Sequence, residues 1–176
     1  MLSNVKTFSA TNIIIFITII GYFIQNNIEH GAIIMGLNSL FLTYGFYWQP
    51  LTTMFTHGGL FHIAMNMFVL FQFGNLVEQA FGVKKFLIIY FVGGLLTSLF
   101  SFLYMYWFDS MSNLVGASGA ISVIIGLIAL KDQYQRKGMI IWILLISFAP
   151  LLLGLPVAWY AHLIGFGIGW ILGYFI

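Results

Sequence analysis

Long apolar runs alternate with short polar interruptions along the chain, and this alternation predicts its elements. The first run covers about 8–24 and ends at Gln25-Asn26-Asn27, with Glu29 and His30 just beyond. Further runs cover about 58–80, 84–107, 116–130, 139–153 and 157–175. Each is close to the ~20 apolar residues with which a helix crosses a bilayer, so six membrane spans are expected. Asp109 to Val115 form a short polar turn before the fourth, Lys131 to Lys137 break the fourth from the fifth, and Pro150 and Pro156 mark the last turn. Residues 31–56 read differently: they are apolar, aromatic and glycine-punctuated, but interrupted by Asn38, Gln49 and Pro50. This predicts a long ordered first loop in the membrane interface, where Trp48 and its tyrosine neighbours are at home. Loops of that length in compact domains are usually functional or disordered, and the lack of charge argues against disorder. No fixed-period repeat interrupts the pattern. The expected fold class is therefore an all-α membrane protein, with one domain over residues 1–176.

Composition strengthens the membrane reading. The 176 residues are 61% hydrophobic and only 6% charged, against about 25% charged in a soluble domain. So little charge leaves most of the surface facing lipid. The chain has no cysteine, which excludes a disulfide scaffold, a thiolate nucleophile and a cysteine metal site. A net charge of +2 is no nucleic-acid footprint. No small-residue cleavage site follows the first apolar run, which is read as a retained helix.

Charge also sets an expected orientation. With a cytoplasmic N-terminus, Lys6, Lys84, Lys85, Lys131, Arg136 and Lys137 all fall on the cytoplasmic side, leaving no basic residue for the outer loops. Six spans then return the C-terminus to the cytoplasm. The fourth span begins on the extracytoplasmic side.

Polar and ionisable groups inside a bilayer are costly, and each needs a reason. Gly116-Ala117-Ser118-Gly119 places a serine at a helix start, where free backbone N–H groups can face developing negative charge. Taken alone, this serine also fits a packing role, because Ser118, Ser122 and Gly126 form a small face. The sixth span shifts the balance. Ala161, Gly165, Gly169 and Gly173 form a small-residue stripe beside His162, near the outer end. Two small-faced helices can bring a serine hydroxyl and an imidazole within reach, and the imidazole makes the hydroxyl a nucleophile. No carboxylate is well placed as a third member. Glu78 lies about 18 Å beyond Asn66 along the second span, Asp132 is cytoplasmic, and Asp109 is in an outer turn. A Ser118–His162 dyad is expected. His62 and Asn66, four apart on one face, can donate to an oxyanion together with the Ser118 backbone N–H. His57 has a supporting place near the loop. The rival is zinc bound by His57, His62 and His162. His57 and His62 lie about 140° apart around a helix, with no glutamate nearby as base.

These motifs resemble the rhomboid family in order along nearly the whole chain. His57-x4-His62-x3-Asn66, Gly74-x3-Glu78-x3-Gly82, Gly116-Ala117-Ser118-Gly119 and Ala161-His162-x2-Gly165-x3-Gly169 are each similar to a family motif. Trp48 resembles the first half of the family's Trp-Arg pair. The resemblance implies a six-transmembrane-helix rhomboid bundle with a water-filled cavity open to the outside. It implies a serine endopeptidase of the cell (inner) membrane, without cofactor or metal, that cleaves transmembrane segments of other membrane proteins. Substrates would unwind locally and carry a small residue before the scissile bond. Two positions depart from the pattern: Gln49 stands where an arginine usually follows the tryptophan, and Ser122 where some bacterial relatives carry an aromatic under the histidine. An inactive client-binding relative would lack Ser118 or His162, and both are present. A small transporter often carries an internal repeat, and none is found. The pattern sets no oligomeric state.

The charge pattern is open to a direct check. In this cysteine-free chain, single cysteines within 31–56 or 150–156 should react with a membrane-impermeant thiol reagent on intact cells. A cysteine at position 134 should not, and its external labelling would overturn the orientation.

Overall fold

The computed structural model describes residues 9–108 and 112–176; Lys6, Phe8 and Asp109 lie outside them. Six main helices make up an all-α membrane bundle: α1 (Ala10–Asn27), α2 (Leu60–Phe81), α3 (Val83–Trp107), α4 (Ser118–Lys131), α5 (Gln133–Leu152) and α6 (Trp159–Gly173). The helices α1, α2, α3 and α5 are each long and apolar enough to cross a membrane. With 14 and 15 residues, α4 and α6 are shorter, spanning roughly 21–22 Å against a hydrocarbon core of about 30 Å. Helix α5 begins at Gln133, six residues ahead of the apolar run, because Asp132 caps it: its carboxylate accepts from the N–H groups of Tyr134 and Gln135 at 2.9 and 3.1 Å.

Helix α4 is the centre. Its sequence is apolar on all sides, the mark of a helix without an outward face, and every residue from Ala120 to Ala129 is buried. Helices α2, α3, α5 and α6 pack around it, while α1 packs on α2. The outer helices turn large apolar side chains such as Phe16, Phe68, Phe100 and Leu145 outward, as a lipid-facing surface requires.

The tightest seam joins α4 to α6. A Cβ added to Gly165 would collide with the Gly119 carbonyl oxygen, and one on Gly169 with that of Val123. From the other side, a Cβ on Gly126 would strike the Phe166 carbonyl. These helices therefore touch backbone to backbone, as the small-residue stripe requires. Gly167, on the same helix, has nothing within 4 Å of its Cβ position.

Glu78 has a structural task that spacing alone does not reveal. Its carboxylate accepts from the Ala10 and Thr11 N–H groups at 3.0 and 2.8 Å and from the Thr11 hydroxyl at 2.7 Å. It thus satisfies the open donors at the start of α1. Ser9 Oγ completes the cap by accepting from Asn12 N–H at 3.0 Å. Gly74 leaves room for the Thr11 methyl, whose carbon would stand 2.7 Å from an added Cβ. Gly82, at φ +84°, makes the turn from α2 into α3. The spaced motif Gly74-x3-Glu78-x3-Gly82 is thus a clamp between α1 and the C-terminal end of α2.

The first loop is ordered by short helical turns at Gly31–Met35, Leu40–Thr43, Gln49–Thr52 and Thr53–Phe55. Gln49 is fully buried where the related pattern has arginine. Its amide nitrogen donates to the Ile33 carbonyl at 3.1 Å, and its oxygen accepts from Asn38 N–H at 3.3 Å. A neutral amide therefore ties the loop together without a charge to compensate. The Trp48 ring stacks on Phe46 at 4.6 Å, and its Nε1 donates to Ile34 O at 3.0 Å.

Replacing Gly165 or Gly169 by Val should lower thermal stability in detergent by about 1–3 kcal/mol, the usual cost of overpacking. Gly167→Val should cost clearly less. Three equal melting temperatures would contradict the backbone seam.

Candidate active site

The segment entering α4 is held from three directions. Leu37 and Leu114 exchange backbone hydrogen bonds at 2.9 and 2.8 Å, forming a short antiparallel bridge between the first loop and this segment. Thr53 accepts from Gly116 N–H through its carbonyl at 3.0 Å, and its hydroxyl donates to Leu114 O at 2.6 Å. Gly116 then turns at φ +124°, a conformation that disfavours any side chain. Irregular backbone at membrane depth must find its partners inside the protein, and the first loop supplies them.

His57 supplies one more. Its backbone N–H donates to Gln25 Oε1 at 2.8 Å, and its carbonyl accepts from the same side chain, which ties it to α1. Its Nε2 accepts from Ala117 N–H at 3.4 Å. Burial first, and then the neighbouring His62, pushes the His57 pKa down to about 3, so the ring stays a neutral acceptor. His57 thus holds the residue that precedes Ser118.

Ser118 opens α4. Among the described residues, no hydrogen bond engages the backbone N–H of Ser118 or Gly119, as expected for the first turn of a helix. The His62 ring lies at 2.9 Å, through Nε2 and the adjoining carbon, from the point where a Cβ on Gly116 would stand. Ser118 Oγ is 3.5 Å from that point. A side chain at Gly116 would therefore fill the space between them. His62 Nδ1 accepts from Gly58 N–H at 3.3 Å, so the ring's proton must sit on Nε2, the nitrogen next to Gly116. Asn66 commits one amide hydrogen to the His62 carbonyl at 2.9 Å and keeps the other.

His162 lies in the first turn of α6 and is buried. Ala161, beside it, lines the same small cavity as Gly116, Ser118, Gly119 and Thr53, about 10 Å³ in volume. One turn later Gly165 meets Gly119. The α4–α6 seam thus brings the serine end of α4 and the histidine end of α6 together. Ser118 and His162 share no hydrogen bond among the described residues. Ser122, one turn after Ser118, donates to the Ser118 carbonyl at 2.7 Å. Its Cβ would lie 3.0 Å from a Cβ added at Gly165, so the glycine lets α6 approach Ser122 closely. The sequence gives no sign of Ser147 on α5, whose hydroxyl oxygen stands 3.3 Å from His162 Nδ1. A serine within an apolar helix carries no signal of its partner.

The hydrogen bonds also bear on the zinc reading. His57 Nε2 and His62 Nδ1 already accept from amide N–H groups, so two of the three lone pairs it needs must come from the opposite ring nitrogens, which carry the protons. The donor set fits hydrogen bonding better than metal binding.

The rhomboid domain family matches residues 44–176, three quarters of the chain. The chain belongs to the rhomboid family. RHOMBOID-like protein 7 of Arabidopsis thaliana is 35% identical over 138 residues, covering 73% of this chain and 42% of that protein. The rhomboid protease GluP of Bacillus subtilis is 36% identical over 100 residues, 57% of this chain and 18% of that protein. An inactive RHOMBOID-like protein 8 of Arabidopsis thaliana is 33% identical over 91 residues, 51% of this chain and 26% of that protein. The chain spans less than half the length of each of these relatives.

Proposed function

We propose that this chain is an intramembrane serine endopeptidase that cleaves transmembrane segments of other membrane proteins through a Ser118–His162 dyad. The reading rests above all on the backbone seam of α4 and α6, which carries the serine and the histidine at the same end. Ser118 Oγ would attack the scissile carbonyl while His162 takes its proton. The carbonyl oxygen would then gain negative charge within reach of the Ser118 N–H and of His62 Nε2–H, with Asn66 as a further donor. His162 would return the proton to the leaving amine, and water would hydrolyse the acyl ester by the same steps. The missing Ser118–His162 hydrogen bond is compatible with this order of events, because catalytic hydrogen bonds are often long before substrate binds. Gly116, Gly119, Gly165 and Gly169 would serve as the frame.

Two further features of the proposal follow from size and charge. A cavity of about 10 Å³ beside Ser118 holds about one water or a methyl group, which favours a small residue before the scissile bond. In a cell (inner) membrane, the location we propose, the one-sided basic residues favour both termini cytoplasmic and the serine opening outward. The similarity to a relative named inactive favours a second reading, a client-binding protein that does not cut.

A reconstituted transmembrane substrate separates the two. Ser118→Ala and His162→Ala should each abolish cleavage with the fold intact, while Glu78→Gln keeps measurable activity. His62→Ala and Asn66→Ala should each lower turnover about 10²–10³-fold. Parental cleavage by purified Ser118→Ala would refute the dyad; no cleavage by the parent of any reconstituted substrate would favour client binding.

A further inference from the structure

His162 carries the expected base, yet a neutral imidazole has two tautomers and only one of them leaves the correct nitrogen free. Among the described residues, no carboxylate hydrogen-bonds or ion-pairs with the ring to select between them. Ser147, fully buried on α5, is the group at Nδ1. Its hydroxyl oxygen lies 2.6 Å from the Ile143 carbonyl and 3.3 Å from His162 Nδ1. A carbonyl has no hydrogen to give, so the short contact to Ile143 must use the single Ser147 hydroxyl hydrogen. The same oxygen can then only accept at His162. That contact therefore requires a hydrogen on Nδ1, which leaves Nε2 as the lone-pair nitrogen.

We propose that Ser147 is a positioning residue: its hydroxyl, turned away by the Ile143 carbonyl, holds His162 in the Nδ1–H form so that Nε2 can accept the Ser118 proton. The inference rests on the dyad reading above and deepens it. Where many serine hydrolases use a carboxylate for this task, a back-bonded hydroxyl brings no charge into the bilayer. It also fits the smallness of Ser122. Among the described residues no aromatic ring contacts His162, and the hydrogen bond from α5 fixes the plane and the tautomer of the ring.

The test uses the full chain reconstituted with a transmembrane substrate, comparing Ser147→Ala, Ser147→Thr and Ser118→Ala. A second readout is the ¹⁵N spectrum of histidine-labelled protein, with the His162 signals identified by their loss in His162→Ala. The parent should show a proton on His162 Nδ1, and Ser147→Ala should show a mixture of tautomers. Its kcat should fall on the order of tenfold, the loss of one neutral hydrogen bond, with KM unchanged. Ser147→Thr, which keeps the hydroxyl, should restore both readouts. If threonine's extra methyl does not fit the buried site, the alanine spectrum and kcat still decide. A parental kcat in Ser147→Ala, or a bare Nδ1 in the parent, overturns the proposal. An inactive Ser118→Ala beside a fully active Ser147→Ala removes only the role of Ser147. A fully active Ser118→Ala removes the dyad itself, and with it any catalytic meaning of the contact.

Discussion

In a bilayer, helices gain little by moving apolar side chains from lipid tails to one another, so α4 and α6 must hold together by close packing. The glycines at 126, 165 and 169 allow that, each standing where a Cβ would enter the neighbouring backbone. Other features accompany the seam. With α2, α3 and α5 packed on its other sides, α4 is surrounded rather than exposed. Helix α4 is also short, and the irregular segment that leads into it needs hydrogen-bond partners from within the protein. The bridge between Leu37 and Leu114, the Thr53 contacts and the His57 ring satisfy that segment.

The histidine hydrogen bonds divide the tasks among three similar side chains. His57 accepts from the backbone before Ser118 and is a frame element. His62 accepts at Nδ1 and so bears its hydrogen toward Gly116. His162 meets a serine oxygen that has no hydrogen left to give. Residue type alone makes these three interchangeable; their partners differ, and the proposed function assigns them the parts of strut, donor and base accordingly. The same neutrality runs through the loop, where Gln49 replaces a cation by amide hydrogen bonds.

Much of this was legible in the sequence because membrane packing leaves coarse marks. Apolar run lengths predicted the six main helices, four of them long enough to cross a membrane, and the stripe Ala161-Gly165-Gly169-Gly173 predicted a close helix contact that Gly165 and Gly169 make. The motifs around Ser118 and His162 directed attention to two helix ends that the α4–α6 seam brings together. What stayed hidden were contacts between distant residues with ordinary side chains. Glu78 caps a helix 67 residues earlier, and spacing only excluded it from His162. Ser147 looks like any small residue in an apolar helix. The split of roles between His57 and His62 depends on which ring nitrogen meets a backbone N–H, and no periodicity encodes that.

The central claim is that Ser118 is a nucleophile made reactive by His162. Treating the purified, reconstituted chain with a fluorophosphonate and mapping the adduct by mass spectrometry tests it without any knowledge of the natural substrate. The account predicts one adduct per chain, on Ser118 alone, formed far more slowly in His162→Ala. An adduct elsewhere, or labelling of Ser118 at the same rate without His162, would contradict it.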